Sequence, residues 1–110
     1  MAYAEVGENN MTRHHYYVGT RDQNGDRVPM VQWDEIDNFL LATYGGFTRY
    51  EAMGAWLDAP LSVYEPSMVY EGITKHATDP RIVASRLATL AHQSAVLWTE
   101  ESLNVGFAST

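Results

Sequence analysis

Two stretches of helical period, set among stretches that alternate residue by residue, limit this chain more than any other feature. Trp33, Ile36, Phe39, Leu40 and Tyr44 recur at spacings of three and four, and so do Val83, Leu87, Leu90 and Ala91. Each set therefore lies along one face of a helix. Pro29 suits the first turn of the earlier helix, Asp34, Glu35 and Asp37 near its start suit the positive end of the dipole, and Gly45-Gly46 ends it. Thr78-Asp79-Pro80 announces the later one, with Asp79 as cap and Pro80 at the first helical position. Strands are predicted over 14–20, 47–57, 67–74, 95–98 and 103–107. A bulge or kink is expected near Met53-Gly54, a strand start at Pro66, and a turn at Thr99-Glu100-Glu101. Residues 1–12 are read as a flexible tail and 13–110 as one domain.

The order is β-α-β-β-α-β with an additional C-terminal strand. Two right-handed βαβ units joined by a hairpin give an α+β, ferredoxin-like sandwich. Two helices then cover one face of an antiparallel sheet and leave the other face open. A chain of 110 residues that is 45% hydrophobic, with three Trp, seven Tyr and three Phe, can fill one such core and not two. With no cysteine, disulfides, thiol nucleophiles and thiolate metal sites are excluded. A net charge of −7 opposes nucleic-acid binding. No apolar run is long enough to span a bilayer, and the polar, acidic residues 1–11 do not read as a signal peptide. A cytoplasmic place is expected, that of the host if the chain is phage-encoded.

Candidate functional residues gather on the open face. If Tyr16 and Val18 face the helices, His15, Tyr17 and Gly19 face away, and Val69, Glu71 and Ile73 do the same on the third strand. Thr48 and Tyr50 are placed to join them from the second. Three uses compete for such a surface. It can be a subunit interface in a homodimer or larger assembly. It can be a small-ligand pocket, with Tyr17 and Tyr50 stacking on a ring, Trp56 lining the wall, and Arg21 or Arg49 gripping an anion. It can be an acid–base site in which Glu71 polarises His15. RNA-recognition modules share this topology, but Glu71 and the acidic balance oppose RNA. No metal or cofactor is expected. His14 and His15 point to opposite faces, and Asp22, Asn24 and Asp26 lack the glycine and acidic positions of a calcium loop.

Gly45-Gly46-Phe47-Thr48, Gly54-Ala55-Trp56-Leu57-Asp58, Glu65-Pro66-Ser67 and Gln93-Ser94-Ala95-Val96 together resemble a family of small bacterial and phage proteins with a GGxT…GxW…ExS pattern. The resemblance implies a ferredoxin-like fold whose open sheet faces pair in dimers, and no particular activity. Gly72 departs from the pattern, where a bulky strand residue is expected. On these grounds the leading expectation is a non-catalytic, self-associating binding protein for an anionic or aromatic small molecule or a protein partner. A phage sponge for a nucleotide signal is one form of it. The rivals are a dimeric monooxygenase- or isomerase-type enzyme using the His–Glu pair, and an acidic structural or decoy protein.

Overall fold

The structure, a computed structural model, describes residues 8–58 and 60–110. Its elements run β1 (Glu8–Gly19), α1 (Met30–Tyr44), β2 (Thr48–Asp58), β3 (Leu61–Thr74), α2 (Pro80–Leu90) and β4 (Leu97–Val105). The strands form one antiparallel sheet in the order β2-β3-β1-β4. Non-consecutive β1 and β3 pair at the centre, which is the ferredoxin-like arrangement expected.

The helix signals act as read. The Asp79 carboxylate accepts from the Arg81 backbone N–H at 2.9 Å, with Pro80 following it. Gly45 ends α1 at φ 77°, where its N–H donates to the Leu41 carbonyl. Pro29 proves to be the residue before the first turn, so α1 starts at Met30 and its acidic residues lie beyond that turn. Both helices pack on the face of the sheet carrying Tyr16, Val18 and Tyr70. Ile36, Leu40, Val83 and Leu87 close the core against them. Each fully buried aliphatic side chain of this kind contributes roughly 1.5–3 kcal/mol.

Four expectations fail for identifiable reasons. Residues 8–12 belong to β1, because β4 offers them an edge to pair with, through an irregular step between Glu8 and Met11. Residues 1–7 of the expected tail lie outside the described residues. The two short C-terminal strands are one strand, β4. Its charged middle does not turn, because Glu100 meets His14 on one face and Glu101 meets Arg13 on the other. Ala95 and Val96 precede it as loop. No bulge occurs at Gly54, and the β2–β3 ladder is unbroken from Thr48↔Glu71 to Asp58↔Leu61. Gly54 makes room instead, since a Cβ there would stand 3.1 Å from Ser67 Oγ and 3.2 Å from the Trp56 ring. Pro66 sits inside β3, not at its start. Its carbonyl accepts from Thr20 N–H on the β1 side, so the missing Pro N–H points where β1 has ended and breaks no bond to β2.

Past the Gly19↔Ser67 pair, β3 has only β2 as a neighbour. The β2–β3 ribbon thus runs on alone and stretches the molecule to 55 × 28 × 27 Å, with a radius of gyration of 16.1 Å. A compact domain of this length has about 13 Å.

Candidate functional site

Register fixes the rows of the open face. His15 lies between Glu71 and Thr99, Tyr17 between Val69 and Leu97, and Gly19 beside Ser67. On the far side of β3, Thr48, Tyr50 and Ala52 oppose Glu71, Val69 and Ser67. His15 Nε2 stands 3.1 Å from Glu71 Oε2, and its ring stacks along Tyr17 with centroids 6.2 Å apart. Arg13 is 3.9 Å from the other Glu71 oxygen, but its short bonds, 2.6 and 2.7 Å, go to Glu101.

At the Gly19 end this face opens into a cleft of about 810 Å³. Gly19, Gly54 and Ser67 form a floor without bulk. Tyr17 and Trp56 line it from opposite ends of these rows, Glu65 supplies a carboxylate, and Arg21 reaches its rim. Glu65 Oε1 occupies the space a Cβ on Gly19 would need. Gln93 closes the end by donating from Nε2 to the carbonyls of Gly19, at 2.5 Å, and Arg21, at 2.9 Å.

The predicted site residues therefore separate. Tyr17, Arg21 and Trp56 share the cleft. Tyr50, half exposed, stands on the row beside Tyr17. His15 and Glu71 pair as expected but lie two rows from Gly19, about 13 Å along the strand. Arg49 is a correction. It alternates with Tyr50 and so faces the helices, where its Nη1 donates to Asp37 Oδ2 at 2.8 Å. Tyr70 donates to the other Asp37 oxygen at 3.1 Å. Arg49 instead lines a second cleft of about 450 Å³ between the start of α1, the 20–28 loop and the helix-side face of β2–β3.

Glu65, Ser67 and Gln93 enter the sequence reading only as parts of the family pattern, with no site role. That reading also missed a polar chain inside the helix-covered face. His14 is 1% exposed, yet both ring nitrogens are bonded, Nε2 to Glu100 Oε2 at 2.9 Å and Nδ1 to the Tyr44 hydroxyl at 2.8 Å. Tyr16 and Tyr44 share a 2.5 Å hydroxyl bond. With a neutral imidazole the donors run one way: Tyr16 to Tyr44, Tyr44 to Nδ1, and Nε2–H to Glu100. Burial pushes the Tyr16 phenol far up, and raises Tyr44 and Tyr70 as well. This chain opens on neither cleft and serves packing.

Comparison with known proteins adds a fold relative. No family model and no curated protein matches the chain. Among solved structures it is similar to a phage SAM lyase in complex with S-methyl-5′-thioadenosine. The TM-score is 0.66 at 9% identity, over 93% of this chain and 92% of that one. The likeness establishes the shared ferredoxin-like α+β fold. Among the described residues, no helix is long and apolar enough to cross a membrane.

Proposed function

We propose that the open-face cleft is a binding site for a small ligand built on a nucleoside, neutral or positively charged, of the thioether or sulfonium kind. The observation that carries the reading is that Tyr17, Trp56 and the Glu65 carboxylate line one cleft whose middle rows include the side-chain-free Gly19 and Gly54. Flat heterocycles stack on such rings, and a carboxylate in a half-enclosed site favours a cation. The fold relative, which holds S-methyl-5′-thioadenosine, supports the same ligand class. A nucleotide-signal sponge keeps its aromatic half but loses much of its anion grip. Arg49 faces away and is held by Asp37, and Arg21 spends one guanidinium N–H on the Gly25 carbonyl.

Titration calorimetry tests this with S-methyl-5′-thioadenosine, S-adenosylmethionine and a cyclic dinucleotide. Saturable heat is expected with one or both of the first two, weakened about tenfold or more by Trp56→Ala. No heat with either overturns the reading, and tighter binding of the cyclic dinucleotide restores the sponge.

A second reading rests on Glu65 in particular. If the cleft is catalytic, a C–S bond of the sulfonium breaks with its electron pair left on sulfur, and Glu65 takes the proton the departing fragment loses. Chromatography of S-adenosylmethionine incubated with the protein would then show the thioether nucleoside. Glu65→Gln would abolish its appearance while retaining binding.

Self-association accompanies the proposal. Met53, Leu57, Leu61 and Tyr64 on the projecting ribbon are each 67–77% exposed. A two-stranded ribbon is marginally stable by itself in water. By alternation Met53, Leu57 and Tyr64 lie on the helix-side face of the ribbon, opposite the open cleft, and a second copy of the chain is the partner that would cover them. Light scattering would report a mass above 12.4 kDa. Leu57→Lys with Leu61→Lys would return it to that of one chain.

A further inference from the structure

The second cleft, on the helix-covered side of β2–β3, has a charge pattern that the fold and the proposed function leave largely unused. Three of the seven basic residues of this acidic chain line it, Arg21, Arg27 and Arg49. Two carboxylates, Asp34 on α1 and Glu51 on β2, line it too. Arg49 is neutralised by Asp37. The other four form no ion pair within 4.0 Å among the described residues, with each other or with anything else. Opposite charges that share a cleft without touching make it bipolar.

The placement of the two arginines is costly. Arg21 and Arg27 oppose each other across an isolated antiparallel bridge, where like charges repel. Apart from one Arg21 guanidinium N–H that donates to the Gly25 carbonyl at 3.0 Å, the loop between them is held by backbone and Asp22 contacts, and none of these uses Arg27. Asp22 Oδ1 accepts from Asn24 N–H at 2.8 Å and Asp26 N–H at 2.9 Å, and Val28 N–H closes onto the Thr20 carbonyl. An anion lodged between the guanidiniums removes the repulsion and takes up their forks. A simple anion would meet Asp34 and Glu51 across the cleft, whereas a ligand carrying an ammonium satisfies them. The remaining wall, with Trp33, Met30 and Met68, is apolar.

We propose that this cleft binds the zwitterionic head of an α-amino acid with an apolar side chain, carboxylate toward Arg21 and Arg27 and ammonium toward Asp34 and Glu51. Arg21 lines both clefts, but Arg27, Asp34 and Glu51 belong to this one alone, and the proposal does not depend on what the open-face cleft binds.

Amide chemical shifts of the whole chain are followed on addition of L-leucine, 4-methylpentanoate and 3-methylbutylamine, which offer both charges, only the carboxylate, and only the ammonium. L-Leucine is expected to shift residues of the 20–28 loop and the first turns of α1 saturably, with both analogues weaker by about tenfold or more. Arg27→Ala and Glu51→Gln, both at exposed positions, are each expected to weaken L-leucine to a similar degree. No saturable response to L-leucine overturns the proposal. So does an equal response to 4-methylpentanoate, or displacement of L-leucine by a phosphomonoester at lower concentration, either of which makes this a plain anion site. Calorimetry of S-methyl-5′-thioadenosine with Arg27→Ala keeps the two clefts apart, because failure here leaves that heat unchanged.

Discussion

His14 and His15 are neighbours in sequence, and each faces a glutamate, yet they belong to different environments. His14 is sealed beneath the helices with both nitrogens bonded. The His15 side chain retains 15% exposure, its Nε2 bonds Glu71, and that carboxylate also has Arg13 nearby. Strand alternation alone separates them. The same pair of side-chain types is thus a structural fastening on one face and an adjustable surface contact on the other. What differs is the alternative open to each group when its partner is removed. On the open face water takes over, but the sealed His14 ring has no water to replace Glu100 or Tyr44.

His14→Ala is the strongest way to break that contrast. It removes the acceptor of the Tyr44 hydroxyl, which keeps only its bond to Tyr16, and leaves a void between β1, α1 and the edge strand. A loss of about 3 kcal/mol is expected in urea unfolding, the combined cost of a cavity and two lost hydrogen bonds. A loss below about 1 kcal/mol would mean that the buried chain of bonds is dispensable.

Gly72→Ala attacks the same fastening from β3. A Cβ there would stand 2.7 Å from the Tyr44 ring, so ring or strand must move. Overpacking of this kind costs about 2 kcal/mol. Tyr44→Leu, itself destabilising, should cancel most of the added cost of Gly72→Ala in the double variant. Simple additivity would show that the ring is not what Gly72 accommodates.

The buried phenols sharpen the comparison through pH. Tyr16, Tyr44 and Tyr70 all have raised folded-state values, chiefly by burial. The folded chain keeps protons that the unfolded chain releases from about pH 10 upward. Their contribution is therefore fully present below that pH and is lost as pH rises above it. Melting temperature should fall on the alkaline side, and Tyr16→Phe should flatten the slope. A profile level through the phenol range would place these hydroxyls in water.

Much of the fold could be read from spacing, because helix caps, glycine stops and apolar periods act within a few residues. Asp79, Gly45 and the stripe through Ile36 and Leu40 each did what their local chemistry requires. The facing of Tyr16, Tyr17 and Glu71 followed from alternation as well. What could not be read depended on partners distant in sequence. Glu100 and Glu101 look like a turn until β1 supplies a histidine on one face and an arginine on the other. Gly72 looks like a defect until Tyr44 fills the space above it. The open-face cleft depends on Glu65 lying over Gly19, a contact across two strands that neither segment signals. Arg49 was misplaced for a simpler reason: it was grouped with Tyr50 although adjacent strand residues cannot share a face.

The smallest expected effect tests the other half of the contrast. His15→Ala removes one partly exposed, charge-assisted contact from Glu71, which keeps water and Arg13 nearby. The change in stability should be about 0.5 kcal/mol and should shrink as salt is added, as for other surface pairs. Pairing His15→Ala with Glu71→Gln isolates the interaction, and a coupling of less than about 1 kcal/mol is expected. A larger coupling would mean that something covers this row in solution. A second copy of the chain seated on the open face would do so, since burial would remove the water that now replaces either partner. In that case the coupling should fall with dilution, together with the mass measured by light scattering. If it stays large at every concentration, the row is shielded within one chain, and the difference between the two histidines is one of degree.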